Sequence, residues 1–146
     1  MNVKAEKFEK MLQENKIECF QKQEIQDELH TVLYRSSMEI EGVMLPVIII
    51  IDDSIYTIFR TLINSKGVTE KNRSDVEKLL NTLNSTYKAF KYILTEAGEI
   101  ILDTCMPSSN DNFDPNLIRV MIDVAIKNLN ENYRKIMLTT WSEDKK

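Results

Sequence analysis

The sequence predicts an α+β fold in which an antiparallel sheet of about five or six strands is flanked by three helices. Three segments place apolar residues at the spacing of an amphipathic helix, and the segments between them are rich in β-branched and aromatic residues. The predicted order of elements is α-β-β-β-β-α-β-β-α. With three glycines in 146 residues and no Pro- or Gly-rich linker, the chain is predicted to form a single domain over residues 1–146.

The first half of the chain predicts one helix followed by four strands. From about Asn2 to Asn15, apolar residues recur at helical spacing among Lys and Glu, and we expect that face to dock on the sheet. The four strands lie between Ile17 and Ile63. The stretch from Thr31 to Ile40 alternates apolar and polar residues, so this strand should have one face in water. Further on, residues 87–94 and 100–105 are predicted to pair as an antiparallel hairpin.

Two of these strands are apolar on both faces. Residues 43–51, VMLPVIIII, are apolar at both parities, and residues 55–63, IYTIFRTLI, place apolar side chains on each side. Pro46 cannot donate to a strand ladder, so we expect regular pairing to start after it. Because three helices are too few to cover both faces of such a sheet, part of it should bind a partner. The possible protein-binding or dimer face consists of Val47, Ile49, Ile51, Tyr56, Ile58 and Leu62.

Two later helices are predicted from their start signals. Ser74 and Glu77 have the spacing of a capping box, in which each side chain hydrogen-bonds a backbone amide at the start of the helix. Asp114 followed by Pro115 indicates the start of a long helix that extends to about Leu138. Apolar residues nearly encircle the first half of this helix, so we expect that half to be buried on more than one side.

Charge and hydropathy exclude several classes of partner. Lys and Arg total 19 against 23 Asp and Glu, a net charge of −4 with both signs interspersed. Nucleic acid is not a predicted partner, because such domains typically carry a basic excess that displaces counterions from phosphates. The longest apolar stretch, residues 43–51, is far shorter than the roughly 20 residues of a membrane helix, and no signal peptide is recognisable. We therefore expect a cytoplasmic protein that does not bind a membrane.

The residue types that enzymes use are scarce. His30 is the only histidine in the chain, which removes nearly every Ser-His, Cys-His and histidine-metal arrangement within one subunit. Cys19 and Cys105 stand far apart without a metal-ligand neighbour, so reduced thiols are expected. Residues 110–114 are acidic but lack the glycine and the bidentate glutamate of a calcium loop. We predict no catalytic, cofactor-binding or metal site and no cofactor, and we expect the protein not to be an enzyme.

One stretch carries a resemblance to a known family. Residues 79–107, LLNTLNSTYKAFKYILTEAGEIILDTCMP, contain a short helix ending in Leu-Asn, a strand, a Gly-containing turn and a strand that stops at Met-Pro. In this pattern and in its order of elements, almost the whole chain resembles the YbjN-type family of bacterial regulators, which share the type III secretion chaperone-like fold. The resemblance implies an antiparallel sheet flanked by helices, frequent dimers, and relatives that hold extended segments of client proteins. It implies no catalytic residues.

Two functional hypotheses follow. The first is a non-enzymatic protein-interaction module, chaperone-like or regulatory, that binds a protein client or forms a homodimer and so covers the surplus apolar surface. The alternative is a small-ligand binder or enzyme with a pocket between the long C-terminal helix and the sheet. The polar anchors of that pocket would come from Asp52, Asp53, Arg60 or Asp103.

Overall fold

A computed structural model describes residues 2–141 and has the element order that the sequence predicts. The helices are α1 (Val3–Glu14), α2 (Arg73–Thr86) and α3 (Pro115–Thr140). The strands are β1 (Gln21–Glu24), β2 (Val32–Ile40), β3 (Val43–Ile51), β4 (Tyr56–Asn64), β5 (Lys91–Leu94) and β6 (Ile100–Pro107). They form one sheet in the order β1-β2-β3-β4-β6-β5, with every neighbouring pair antiparallel. The predicted fold class is confirmed.

The helices pack against one face of the sheet. On the central strands, every second side chain is buried, and the members that are at most 1% exposed include Tyr34, Ile49, Phe59 and Leu102. The Phe8 ring of α1 meets the Tyr34 ring at a centroid distance of 4.8 Å, and the Tyr92 hydroxyl of β5 donates to Asn128 Oδ1 of α3 at 2.6 Å. Side chains of the other parity are mostly half-buried or exposed, because no helix within residues 2–141 covers them. We call the two sides the covered face and the open face.

The first turn of α1 is tied to the end of the sheet where β2 begins and β3 ends. Asn2 Oδ1 accepts a hydrogen bond from the Ala5 amide at 2.9 Å and so caps the helix. The Nδ2 group of Asn2 donates to the carbonyl oxygens of His30 and Ile51, each at 2.9 Å. Lys4, in the same turn, is fully buried against the β3–β4 turn. The predicted docking of α1 on the sheet is thus confirmed.

The prediction that pairing starts after Pro46 is confirmed for one of the two neighbouring strands of β3. β3 pairs with β2 along its whole length, and Pro46 lies opposite Ser37 in that ladder. The ladder with β4 begins one residue later, where Val47 lies opposite Thr61. Pairing therefore starts after the proline with respect to β4, and the expectation was wrong with respect to β2.

Helix α2 does not use the predicted capping box. The helix begins at Arg73, which places Ser74 inside its first turn, and the N-cap residue is Asn72, whose side chain makes no hydrogen bond to the helix amides. Instead, the buried Asn72 Nδ2 group donates to the carbonyl oxygens of Gly67 and Thr140. Asn72 thus joins the start of α2 to the far end of α3.

Helix α3 begins as predicted but is buried on one side only. Asp114 accepts a hydrogen bond from the Asn116 amide at 2.9 Å, and the helix continues for 26 residues. Neither α3 nor any other helix within the described part of the chain is long and apolar enough to cross a membrane. The expectation that the first half of α3 is buried on several sides was wrong, because Leu117, Val120 and Val124 are 44%, 53% and 40% exposed.

Candidate functional site

The open face of the sheet carries two apolar rows. The strand register places one row across β2, β3, β4 and β6, and it consists of Leu33, Ile50, Ile58 and Cys105. The second row crosses β4, β6 and β5, and it consists of Leu62, Ile101 and Ile93. Cys105 is exposed and the other side chains of both rows are half-buried. An uncovered sheet face with rows of large apolar side chains is typical of a surface that binds another protein.

A charged row lies between the two apolar rows. Arg60 on β4 and Asp103 on β6 are register partners and form a bidentate ion pair, with Nε–Oδ1 at 2.7 Å and Nη2–Oδ2 at 2.8 Å. The hydrogen bonds and charge of Asp103 raise the pKa of the Arg60 guanidinium, so this group stays charged. Arg35, Ile48 and Lys91 complete the row. The centre of the open face thus holds a fixed ion pair, with additional cations toward both edges.

The six residues of the predicted binding face divide between the two faces. Tyr56, Ile58 and Leu62 lie on the open face. The other three are in the core, where Val47 is 7% exposed and Ile49 and Ile51 are 0% exposed, so a partner at the open face does not reach them. The open-face residues of β3 include Ile48 and Ile50, which are not among the six predicted residues.

A local signal for this assignment was present in the sequence. Only two residues, Glu41 and Gly42, connect β2 to β3, and both have positive φ, 50° and 77°, as a tight hairpin turn requires. A two-residue turn pairs Ile40 with Val43, and the register then places Ile48 beside Arg35 on the polar side of β2. The two faces of β3 are therefore assigned by its neighbour, because its own side chains are aliphatic on both.

The open face continues around one edge of the sheet toward α3. β5 pairs with β6 only as far as Asp103, so residues 104–107 have no neighbouring strand on that side within the described residues 2–141. A cavity of about 430 Å³ lies there, and its lining includes Cys105 of the open face together with Leu117 and Met121 of α3. Apolar side chains of α3, Leu117 and Met121, thus border the open face at this edge of the sheet.

A second concavity lies on the covered side of the sheet. This cleft, of about 310 Å³, lies between α1, α3 and the middle of the sheet, which is where the alternative hypothesis expected a pocket. Its lining includes Phe8, Met11, Met38, Val47, Ile118 and Ile122. The predicted polar anchors lie elsewhere, and they are Asp52, Asp53, Arg60 and Asp103.

Each of these anchors has a partner outside the cleft. Asp52 accepts a hydrogen bond from the Ser54 amide at 2.9 Å and so stabilises the β3–β4 turn. Asp53 Oδ2 lies 2.6 Å from His30 Nδ1, at the same end of the sheet. Arg60 and Asp103 pair on the open face, across the sheet from the cleft. The expectation that these four residues line the pocket was therefore wrong.

Comparison with known proteins adds no family to this description. No protein-family model matches the chain, and no curated protein is significantly similar to it. The resemblance to YbjN-type regulators therefore stays a prediction from the pattern of elements.

Proposed function

We propose that this protein is a non-enzymatic protein-interaction module and that its open face binds a second copy of the same chain. One observation carries the proposal: the helices cover one face of the sheet, while the other face carries two apolar rows and is uncovered within residues 2–141. Its half-buried apolar side chains are Leu33, Ile48, Ile50, Ile58, Leu62, Ile93 and Ile101. Burial against a partner stabilises the complex by about 25 cal/mol for each Å² of apolar surface removed from water.

The size of the open face suits a specific interface. Strands β2, β3 and β4 have nine residues each and β6 has eight. At about 4.8 Å between strands and about 3.3 Å per residue, these four strands cover roughly 550 Å² of flat area. The edge strands β1 and β5, with four residues each, add about 130 Å². The relief of the side chains increases this area of roughly 680 Å², and a standard interface buries about 800 Å² on each partner.

The order of charges favours self-association. Consider two copies whose open faces meet across a two-fold axis that runs parallel to the strands, between β3 and β4. This axis brings each row against the same row of the second copy, but with the order of the strands reversed. In the charged row, Arg35 then faces Asp103 of the second copy, and Ile48 faces Arg60. Such an isologous contact needs only one type of surface, and two-fold dimers are the commonest oligomers.

The oligomeric state of the wild-type chain and of an Ile58→Asp variant tests this proposal. Ile58 is central in the first apolar row, so a carboxylate there would be buried without a partner in the dimer. Sedimentation at micromolar concentrations should give a dimer for the wild type and a monomer for Ile58→Asp. The matched control is Leu138→Asp, which changes a 49% exposed leucine on α3, and it should remain dimeric.

Circular dichroism should show that the variants keep the wild-type fold. A wild-type chain that is monomeric at tens of micromolar contradicts the self-association, as does a dimer that Ile58→Asp leaves intact. Binding of a different protein to the open face, abolished by Ile58→Asp while the chain itself stays monomeric, would retain the interaction module but replace the second copy with a client.

A further inference from the structure

The cleft between α1 and α3 has a floor of buried, mostly apolar side chains. Its inner walls are almost inaccessible from the surface, since Phe8 and Ile118 are 1% exposed, Val47 is 7% exposed and Met38 is 8% exposed. Its mouth is formed by side chains in contact with solvent, among them Cys19. An α-helix is about 10 Å wide with its side chains, so a single turn of 5.4 Å fills roughly 420 Å³, which is more than the volume of the cleft. The size therefore selects a slender occupant.

The chemistry of the cleft is that of an apolar ligand site. The inner lining is aliphatic, aromatic and thioether, and Ser36 on β2 contributes a hydroxyl group to it. A volume of about 310 Å³ is at the small end of the range of ligand pockets, roughly 300–1,000 Å³. At about 30 Å³ for a group the size of a water molecule, it holds about ten methylene-sized groups. An unbranched aliphatic chain meets these limits.

The mouth of the cleft carries a cation. Arg119 on α3 is exposed and lines the cleft, and a guanidinium group binds a carboxylate through two parallel hydrogen bonds. Asp123, one helical turn later, also lines the cleft and disfavours a second negative charge. A ligand with one carboxylate at the end of an apolar chain fits this arrangement.

We propose that the cleft binds a linear aliphatic carboxylate of about ten carbons, with the chain between α1 and α3 and the carboxylate at Arg119. The site is separate from the open face, because it lies on the covered side of the sheet. Each buried methylene contributes about 0.8 kcal/mol, which is a gain of about fourfold in affinity. The affinity should therefore rise by about fourfold per carbon from hexanoate to decanoate and then level off when the cleft is full.

The two cysteines allow each site to be probed independently. Cys19 lines the cleft, whereas Cys105 lies on the open face, and both are exposed. In a Cys105→Ser variant, decanoate below its micelle concentration should slow the modification of Cys19 by a thiol reagent. In a Cys19→Ser variant, decanoate should leave the modification rate of Cys105 unchanged. Protection of Cys105 instead of Cys19 would overturn the proposed site.

Two substitutions on α3 test the chain and the carboxylate separately. Ile122→Trp fills the cleft and should abolish the protection of Cys19, whereas Val124→Trp, at an exposed position one half-turn away, should not. Arg119→Gln should weaken the binding of decanoate at least tenfold without affecting decanol. If octanoate, decanoate and dodecanoate all fail to protect Cys19 at millimolar concentration, or if decylammonium binds more tightly than decanoate, the proposal is wrong. These measurements use wild-type-like folded variants and do not depend on whether the chain is a dimer.

Discussion

Lys4 is a charged residue that the fold buries completely. It is 0% exposed, and its ammonium group donates to the carbonyl oxygens of Ser54 at 2.7 Å and Tyr56 at 3.2 Å and to Thr57 Oγ1 at 3.4 Å. An ammonium group has three donors, and here each donor finds an oxygen. Burial lowers the pKa of Lys4, while the nearby Asp52 carboxylate acts in the opposite direction. The residue joins the first turn of α1 to the β3–β4 turn through hydrogen bonds and not through a direct ion pair.

Substitution of Lys4→Met should destabilise the protein. The methionine preserves much of the apolar stem but removes the donor to the partly buried carbonyl oxygens of Ser54 and Tyr56, at a cost of about 1–3 kcal/mol. Urea denaturation monitored by circular dichroism measures the change in the free energy of unfolding. Lys10→Met is the matched control, since Lys10 lies on the same helix and is exposed, and it should change this free energy by less than about 0.5 kcal/mol.

The difference in stability between the wild type and Lys4→Met should also depend on pH. Because the folded-state pKa of Lys4 is lowered, the unfolded chain binds more protons than the folded chain between the lowered value and the ordinary value of 10.5. The wild type should therefore gain stability relative to Lys4→Met as the pH rises through that interval. A difference that shrinks as the pH rises toward 10.5 would contradict the assigned pKa shift.

The two edge strands of the sheet are protected in different ways. β1 is four residues long, its sequence is Gln-Lys-Gln-Glu, and all four side chains are exposed, which disfavours pairing with another strand. At the other edge, the side chain of Asn84 on α2 hydrogen-bonds the backbone of β5 at Tyr92. Its Nδ2 group donates to the Tyr92 carbonyl oxygen at 3.0 Å, and its Oδ1 accepts from the Tyr92 amide at 2.6 Å. Both edges are thus discouraged from adding strands, which favours a partner that binds the face of the sheet.

An Asn84→Ala variant should expose this edge. The backbone groups of Tyr92 lose both hydrogen bonds, and we expect a loss of about 1–3 kcal/mol in the free energy of unfolding. Hydrogen exchange provides the specific measurement, because the Tyr92 amide should exchange faster in the variant. Asn81→Ala, at an exposed position on the same helix, should leave that exchange rate unchanged. Equal protection of the Tyr92 amide in all three proteins would show that Asn84 is not its partner in solution.

Across the molecule, two buried tyrosines hold helices at opposite ends of the covered face. Tyr34 on β2 donates to Glu9 of α1 at 2.6 Å, and Tyr92 on β5 donates to Asn128 of α3 at 2.6 Å. Burial is the main cause that raises the pKa of both phenols, and the hydrogen bond to Glu9 adds to it at Tyr34. The helices are therefore attached through groups that must stay protonated.

The tyrosines should make the protein sensitive to alkali. With folded-state pKa values above the ordinary value of 10.0, their contribution to stability is complete below pH 10 and is lost as the pH rises beyond it. A Tyr34→Phe/Tyr92→Phe double variant should be less stable at pH 7, by about 1 kcal/mol for each lost hydrogen bond, but should lose stability less steeply above pH 10.

Denaturation curves between pH 8 and pH 11 measure this effect. Tyr133→Phe is the control, because Tyr133 lies on α3, away from the open face and from the two buried phenols, and its curve should be as steep as that of the wild type. A double variant that loses stability as steeply as the wild type above pH 10 would show that the two phenols do not control the alkaline transition.

Local chemistry accounts for the identity and order of the elements. The alternation in β2 predicted its wet side, and Asp114 with Pro115 predicted the start of α3, because these signals depend on neighbours within a few residues. The apolar surplus of the central strands predicted sheet surface that the helices do not cover, and the helices within residues 2–141 leave one face of the sheet open. The partner for that surface stays a prediction.

Long-range packing decided which side of the sheet the helices cover. Val47, Ile49 and Ile51 are no less suitable for a partner than Ile48 and Ile50, because both sets are aliphatic. The register with β2 groups the first set with the apolar side of that strand, and the docking of α1 and α3 buries that side. The start of α2 also differs from the prediction, and Asn72 at that start contacts a distant carbonyl oxygen, that of Thr140. A side chain's type determines whether it avoids water, but the element that shelters it is determined by which surfaces meet when the whole chain packs.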